Sequence, residues 1–203
     1  MDFLDVVRRR RMVRSFTDEP VAPESLARIM DVARRGPTAG YSQGVEFVVV
    51  TDSETRATLS RGGERTLNAS GLPNFPAQAQ AQIIICTSAD IYKNRYREAD
   101  KMRVRADVSD EDLWNVPYWH TDAGCAMMLI LLAAVNEGLA AAFVGYGKAE
   151  ARVRRFLGIP DDLVVIGAVL LGHEAADARQ YGDVSAVKRP RRPLAEVVHR
   201  ERW

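Results

Sequence analysis

Five arginines fall within seven positions of the stretch RRRRMVRSF, Arg8 to Phe16. Guanidinium groups at that density call for a local anion, and their planar donor fork suits a phosphate better than the point charge of lysine does. A second basic run, KRPRRPLAEVVHRERW, ends the sequence and carries Arg189, Arg191, Arg192, Arg200 and Arg202. The whole chain has 28 Lys plus Arg against 27 Asp plus Glu, a net charge of +1. So weak a field does not hold a polyanion along its length, so any anion is met at these clusters. Taken alone, such runs read as two solvated tails, the kind that touch nucleic acid.

Other residue types offer less chemistry. Cys86 and Cys125 both lie inside apolar runs, which points to buried free thiols rather than a disulfide or a nucleophile. His120, His173 and His199 are scattered without ligand spacing, so no metal site is expected. No Ser/His/Asp set and no carboxylate pair asks for a catalytic role. In RRGPTAGYSQGVEFVVV, Gly36, Pro37 and Gly40 force a turn, and Thr38, Tyr41, Ser42 and Gln43 give it hydrogen-bonding groups. The turn has neither the G-x-G-x-x-G fingerprint nor a phosphate-binding P-loop.

The elements that must position these residues are legible from periodicity. DFLDVVRRR has helical spacing and delivers arginines at its end; APESLARIMDVARRG opens at Pro23, buries one face and stops at Gly36. EFVVVT, QIIICTS, AAAFVG and LVVIGAVLLG read as buried strands, and KAEARVRRFLG as a helix ended by Gly158 and Pro160. HTDAGCAMMLILLAAVNEGLA is a helix capped by Thr121 or Asp122 and ended by Gly138, with no polar face from Ala123 to Val135. A helix apolar all round is covered on every side, by its own chain or by a symmetry mate. Helices and strands interleave without strict alternation, so the class is α+β, in a single domain over residues 1–203. The segment 89–119 mixes Tyr92, Tyr96, Trp114 and Tyr118 with many charges, a helical excursion from the sheet. MDFLDVV lacks the basic start of a signal peptide, and the apolar run falls short of the ~20 residues of a membrane span, so a soluble cytoplasmic protein is expected.

Five stretches, in order, carry a resemblance: RRRRMVRSFTDEPV, GPTAGYSQGVEFVVV, DAGCAMMLILLAAVNEGLAAAFVGY, LGIPDDLVVIGAVLLGHE and RPRRPLAEVV. Together they resemble the FMN-dependent nitroreductase family. The resemblance implies an α+β fold around a central mixed or antiparallel sheet flanked by helices, in an intertwined homodimer with FMN at the subunit interface. It implies NADH or NADPH as electron donor, with a nitroaromatic, quinone or enone as acceptor.

The resemblance also implies roles for residues. Arg10 and Arg14 would meet the FMN phosphate and ribityl chain with Arg11 in support, and Arg189 and Arg191 would join them from the terminal motif. Met12 stands where the family commonly has a small hydroxyl residue. Pro37, Thr38, Ala39, Tyr41 and Gln43 would reach the flavin from the other subunit. Tyr41 replaces a common asparagine, and Gly44 and Val45 replace the usual proline and tryptophan. Val144 and Gly145 would pass the isoalloxazine ring. Residues 62–76 would approach its pyrimidine edge, with Arg65, Asn68 or neither as the nearby polar group. Outside what the resemblance covers, segment 89–119 reads from its own residues either as a solvated surface helix with aromatic anchors or as a lid over the flavin whose Trp114 and Tyr118 touch the acceptor. Two other readings fit a family member with an altered loop: an oxygen-dependent flavin destructase-like branch, and a non-enzymatic flavin carrier.

Overall fold

The computed structural model describes residues 1–105, 109–181 and 189–203. In chain order the elements begin with α1 (Phe3–Arg9), α2 (Pro23–Ala33), β1 (Val45–Val50), α3 (Ser53–Ser60), α4 (Glu64–Ala69), α5 (Phe75–Gln78) and β2 (Ala81–Thr87). They continue with α6 (Ala89–Tyr96), α7 (Ala99–Arg105), α8 (Asp110–Leu113), α9 (Tyr118–Asn136), β3 (Ala140–Val144), α10 (Glu150–Leu157) and β4 (Val164–Gly172). The class is α+β, as expected, and the four strands form an antiparallel sheet in the order β1-β2-β4-β3. β2 is buried along its whole length, which is why IIIC shows no polar alternation: both faces of this inner strand are covered.

Side chains alternate through the sheet into two cores. On one face Ile84, Cys86 and Leu170 pack with Leu59, Phe75 and Val153 from α3, α5 and α10. On the other, Ile83, Ile85 and Leu171 pack with Ile29 of α2 and Ala123, Ile130 and Leu131 of α9. The start of α2 has proline in its first turn, where the missing N–H costs nothing. The end of α10 is closed by Gly158 at φ 66°, a left-handed cap natural to glycine.

A register shift at Ile85/Cys86 bends the β2–β4 ladder opposite Gly167. A Cβ on Gly167 would lie 2.5 Å from both the Phe143 ring and the Val144 carbonyl, so only glycine lets the end of β3 settle here.

α9 starts a turn earlier than its caps suggest: Thr121 and Asp122 lie inside the helix, not at its mouth. The sheet covers the stripe Ala123, Ala126, Ile130 and Ala134, whereas Met128 on the far side is 42% exposed. The stretch Glu111–Asn136 is apolar enough for a membrane span by length and composition, and 39% of its window is buried within this chain. Its packing against all four strands makes α9 a core helix with one apolar side uncovered.

Candidate functional site

Residues 10–17 run beside the outer edge of β3 and then β4. Val13 N–H donates to Ala141 O at 2.9 Å, Thr17 N–H to His173 O at 2.9 Å, and Phe16 bridges Glu174. Met12 accepts the Phe143 N–H at its sulfur, 3.4 Å away, and lies between both cores. Met12, where the resemblance implies a small hydroxyl residue, therefore serves the strand edge. Met12 beside Phe143 and Val13 beside Ala141 set an antiparallel course, so the chain leads back through Arg10 toward the Val144 end of β3.

The clustered arginines separate. Arg11 forms an ion pair with Glu174, so its charge is already met within the chain and it does not stand with its neighbours as expected. Among the described residues Arg14 donates only to the Tyr181 carbonyl, at 3.4 Å, and it is half-buried. The Arg10 guanidinium has no hydrogen-bond or ion-pair partner among the described residues. A guanidinium without an acid and one held only by a carbonyl both keep donors for an external anion.

At the end of β3, Val144 and Gly145 open onto a cavity of about 640 Å³ with Leu59, Leu67, Phe75 and Tyr146 in its walls. Gly145 lies beyond the last ladder pair, Val144 with Ala168, and a Cβ placed on it meets no atom within 4 Å. Residues 62–76 do face this strand end across the cavity, but neither Arg65 nor Asn68 is in its lining; both are exposed on α4. The cations on its margin are Arg61 and Lys148. Burial pushes the Tyr146 hydroxyl upward in pKa and keeps it protonated; among the described residues neither it nor the buried Asn74 Oδ1 has a hydrogen-bond partner. Desolvation by burial, with minor help from Glu46 and Glu150, pushes the Cys86 thiol up to about 11, which leaves it unionised and a poor nucleophile at neutral pH.

The Pro37–Gln43 turn lies elsewhere. Ala39 N–H donates to Asp122 Oδ2 at 2.8 Å, and Tyr92 O–H donates to the same oxygen at 2.8 Å. Thr38 supports the turn from within: its carbonyl accepts from Tyr41 N–H at 2.9 Å and its Oγ1 from Gln43 N–H at 3.2 Å. Gly40, Tyr41 and Gln43 all have positive φ, and a Cβ on Gly40 would lie 2.3 Å from the Tyr96 ring. Pro37 and Gln43 are exposed, and Tyr41 is 74% exposed, so the turn presents its side chains outward. A cavity of about 450 Å³ beside it is lined by Pro37, Thr38, Tyr41, Gln43, Phe47 and Asp122.

Asp122 is the residue sequence reasoning missed. Its visible signal was an acid ahead of an apolar helix, read as a cap. It is instead only 6% exposed and fixes the turn. Burial, then the bond to Asp122, raises the Tyr92 pKa, so Tyr92 is a reliable donor to that carboxylate.

The excursion supports the same turn. Tyr96 packs on Trp114 with centroids 5.0 Å apart, Trp114 on Trp119 at 5.8 Å, and Tyr92 on Trp119 at 6.2 Å. Trp114 is thus engaged in an internal aromatic cluster, while Tyr118 is 38% exposed. Residues 106–108 of the expected lid lie outside the described residues.

Arg189 and Arg191 are exposed and lack partners among the described residues, as is the whole arm 189–203 exposed on this chain. One chain therefore brings Arg10, Arg14, Val144 and Gly145 to β3. The Pro37 turn and the Val144–Gly145 strand end line different cavities.

A protein of Archaeoglobus fulgidus, provisionally named an NADH dehydrogenase/NAD(P)H nitroreductase, is 29% identical over 205 residues, 98% of this chain and 98% of that protein. The FMN reductase [NAD(P)H] of Bacillus subtilis is 26% identical over 196 residues, 95% of this chain and 71% of that protein. The fold superposes, with a TM-score of 0.68 and 24% identity, on a provisionally named nitroreductase from Desulfovibrio desulfuricans solved in complex with FMN, covering 100% of this chain and 98% of that one. Residues 7–173 match the model of the nitroreductase family. The chain belongs to the nitroreductase family.

Proposed function

We propose that the protein is a cytoplasmic, homodimeric FMN-dependent oxidoreductase that takes electrons from NADH or NADPH and delivers them to a nitroaromatic, quinone or enone acceptor. The carrying observation is that Arg10 and Arg14, on the segment that runs beside β3, keep guanidinium donors among the described residues, and that the same strand ends openly at Gly145 beside an apolar cavity. That set fits FMN: cations for a phosphate at one end, an apolar cavity beside an unobstructed backbone at the other. FMN, when bound, accepts hydride from the nicotinamide and supplies two electrons to the acceptor.

The chain's own residues bind and position. Arg10 and Arg14 hold the phosphate; Leu59, Phe75 and Val144 exclude water from the ring cavity; the Gly145 backbone lets the ring approach closely. Arg11 supports these groups indirectly, by anchoring the strand edge to Glu174. A second copy completes the site. The Pro37 turn presents Pro37, Tyr41 and Gln43 outward, α9 leaves Met128 exposed, and the described arm 189–203 is exposed along its length. Each of these is satisfied if the turn and arm of one protomer meet the site of the other, with Arg189 and Arg191 reaching the phosphate.

Titration with FMN and with riboflavin, followed by quenching of flavin fluorescence, tests the phosphate assignment. Charge-assisted bonds contribute about 1.5–3 kcal/mol each, so FMN should bind at least about tenfold tighter than riboflavin. Equal affinities would remove the arginines from the account.

A further inference from the structure

The cavity beside Val144 and Gly145 is asymmetric in charge. Arg61 and Lys148 stand on its margin, and among the described residues no aspartate or glutamate lines it. Both cations are exposed and neither side chain has an ion-pair partner among the described residues. Of the nearest acids in sequence, Glu64 accepts the Gly62 N–H at 2.9 Å without pairing with Arg61, and Glu150 stands 3.6 Å from Arg154.

The backbone around both cations is braced. Arg152 of α10 donates to Thr58 O at 3.0 Å and to Arg61 O at 2.7 Å, tying the turn after α3 to α10, at whose entrance Lys148 sits. An acceptor stacked on the flavin ring in this cavity would carry any substituent on its edge toward these two charges.

We propose that this margin makes the enzyme selective for flat acceptors bearing a carboxylate over their neutral counterparts, with Arg61 and Lys148 as the specificity-determining residues. The proposal rests on the reading that acceptor and flavin meet in this cavity. Arg61 offers paired N–H groups to a carboxylate and Lys148 a point charge. Because both are exposed, screening limits the gain to about five- to tenfold. For a nitroaromatic carboxylate the turnover is ArNO₂ + NAD(P)H + H⁺ → ArNO + H₂O + NAD(P)⁺, so the carboxylate itself is unchanged and serves only in recognition.

The experiment compares 4-nitrobenzoate with 4-nitrobenzamide as oxidants of FMN-loaded enzyme that has been reduced anaerobically with one equivalent of NADH. The benzoate-to-benzamide rate ratio in wild type should exceed that in the Arg61→Gln/Lys148→Gln double variant by about five- to tenfold. The single variants should fall between. Salt at about 0.5 M should shrink the wild-type ratio and leave that of the double variant nearly constant. A ratio that agrees within twofold between wild type and double variant, or that ignores salt in wild type, overturns the proposal while leaving the flavin reading intact. Failure of wild type to retain FMN overturns that reading and the proposal with it.

Discussion

Replacing Asp122 should loosen the Pro37 turn before it unfolds the protein. The carboxylate is 6% exposed and its Oδ2 accepts two bonds of 2.8 Å, from Ala39 N–H and Tyr92 O–H. Asp122→Ala leaves both donors without an acceptor. A buried donor so orphaned costs about 1–3 kcal/mol, so the pair costs about 2–6 kcal/mol, less whatever water recovers by entering the adjoining cavity. Asp122→Asn retains one acceptor oxygen in place and should cost about 1–2 kcal/mol, and Tyr92→Phe, which leaves the Ala39 bond intact, a similar amount. Hydrogen exchange at the Ala39 amide reads the turn directly, and urea unfolding reads the whole fold. The expected order of loss at both is Ala, then Asn, with Tyr92→Phe close to wild type at the Ala39 amide. If Asp122→Ala kept wild-type protection at Ala39 and an unchanged urea midpoint, the carboxylate would not be what holds the turn.

Arg10→Ala or Arg14→Ala should weaken FMN binding about tenfold to a hundredfold, and Arg191→Ala likewise if the arm reaches the phosphate, whereas Arg11→Ala should cost less because its charge is spent on Glu174; equilibrium titration checks all four. Met128→Glu places a charge on the uncovered side of α9, so sedimentation should show a folded monomer with little flavin; Ala126→Asp, at a buried position, should instead unfold the chain. Acid should destabilise the protein through carboxylates whose folded pKa is depressed: the Arg95 guanidinium holds Asp100 down at about 2, and Asp31, Asp52 and Glu137 are also lowered by donors beside them. Their contribution is fully present above the usual carboxylate range near 4 and lost as pH falls toward 2; Asp100→Asn should flatten that part of a stability-against-pH curve.

Most of the scaffold was legible because its signals are local. The runs around Val48, Ile84 and Val169 are strands, Pro23 opens α2, and Gly158 closes α10, each for reasons contained in a few neighbouring residues. The site was legible only in part because its decisive contacts are distant. Asp122 meets Ala39 across 83 positions, Arg11 meets Glu174 across 163, and Met12 meets Phe143 across 131. None of these leaves a periodic trace. A capping residue and a buried anchor look alike ahead of an apolar helix, and five clustered arginines do not reveal which of them already has an acid. Segment 89–119 has a related ambiguity: aromatic residues among charges suit a substrate lid and equally suit the internal packing of Tyr96 on Trp114, with Tyr96 also against Gly40.

The central claim is that this fold carries a flavin reducible by nicotinamide. Purified protein loaded with FMN should be titrated anaerobically with NADH and, separately, with NADPH while the flavin absorbance near 450 nm is followed. The account predicts bleaching by at least one of them at about one equivalent per bound FMN, and recovery of the colour when a nitroaromatic or quinone is added. A protein that holds FMN yet stays yellow with both nicotinamides would contradict the oxidoreductase account and leave a flavin carrier in its place.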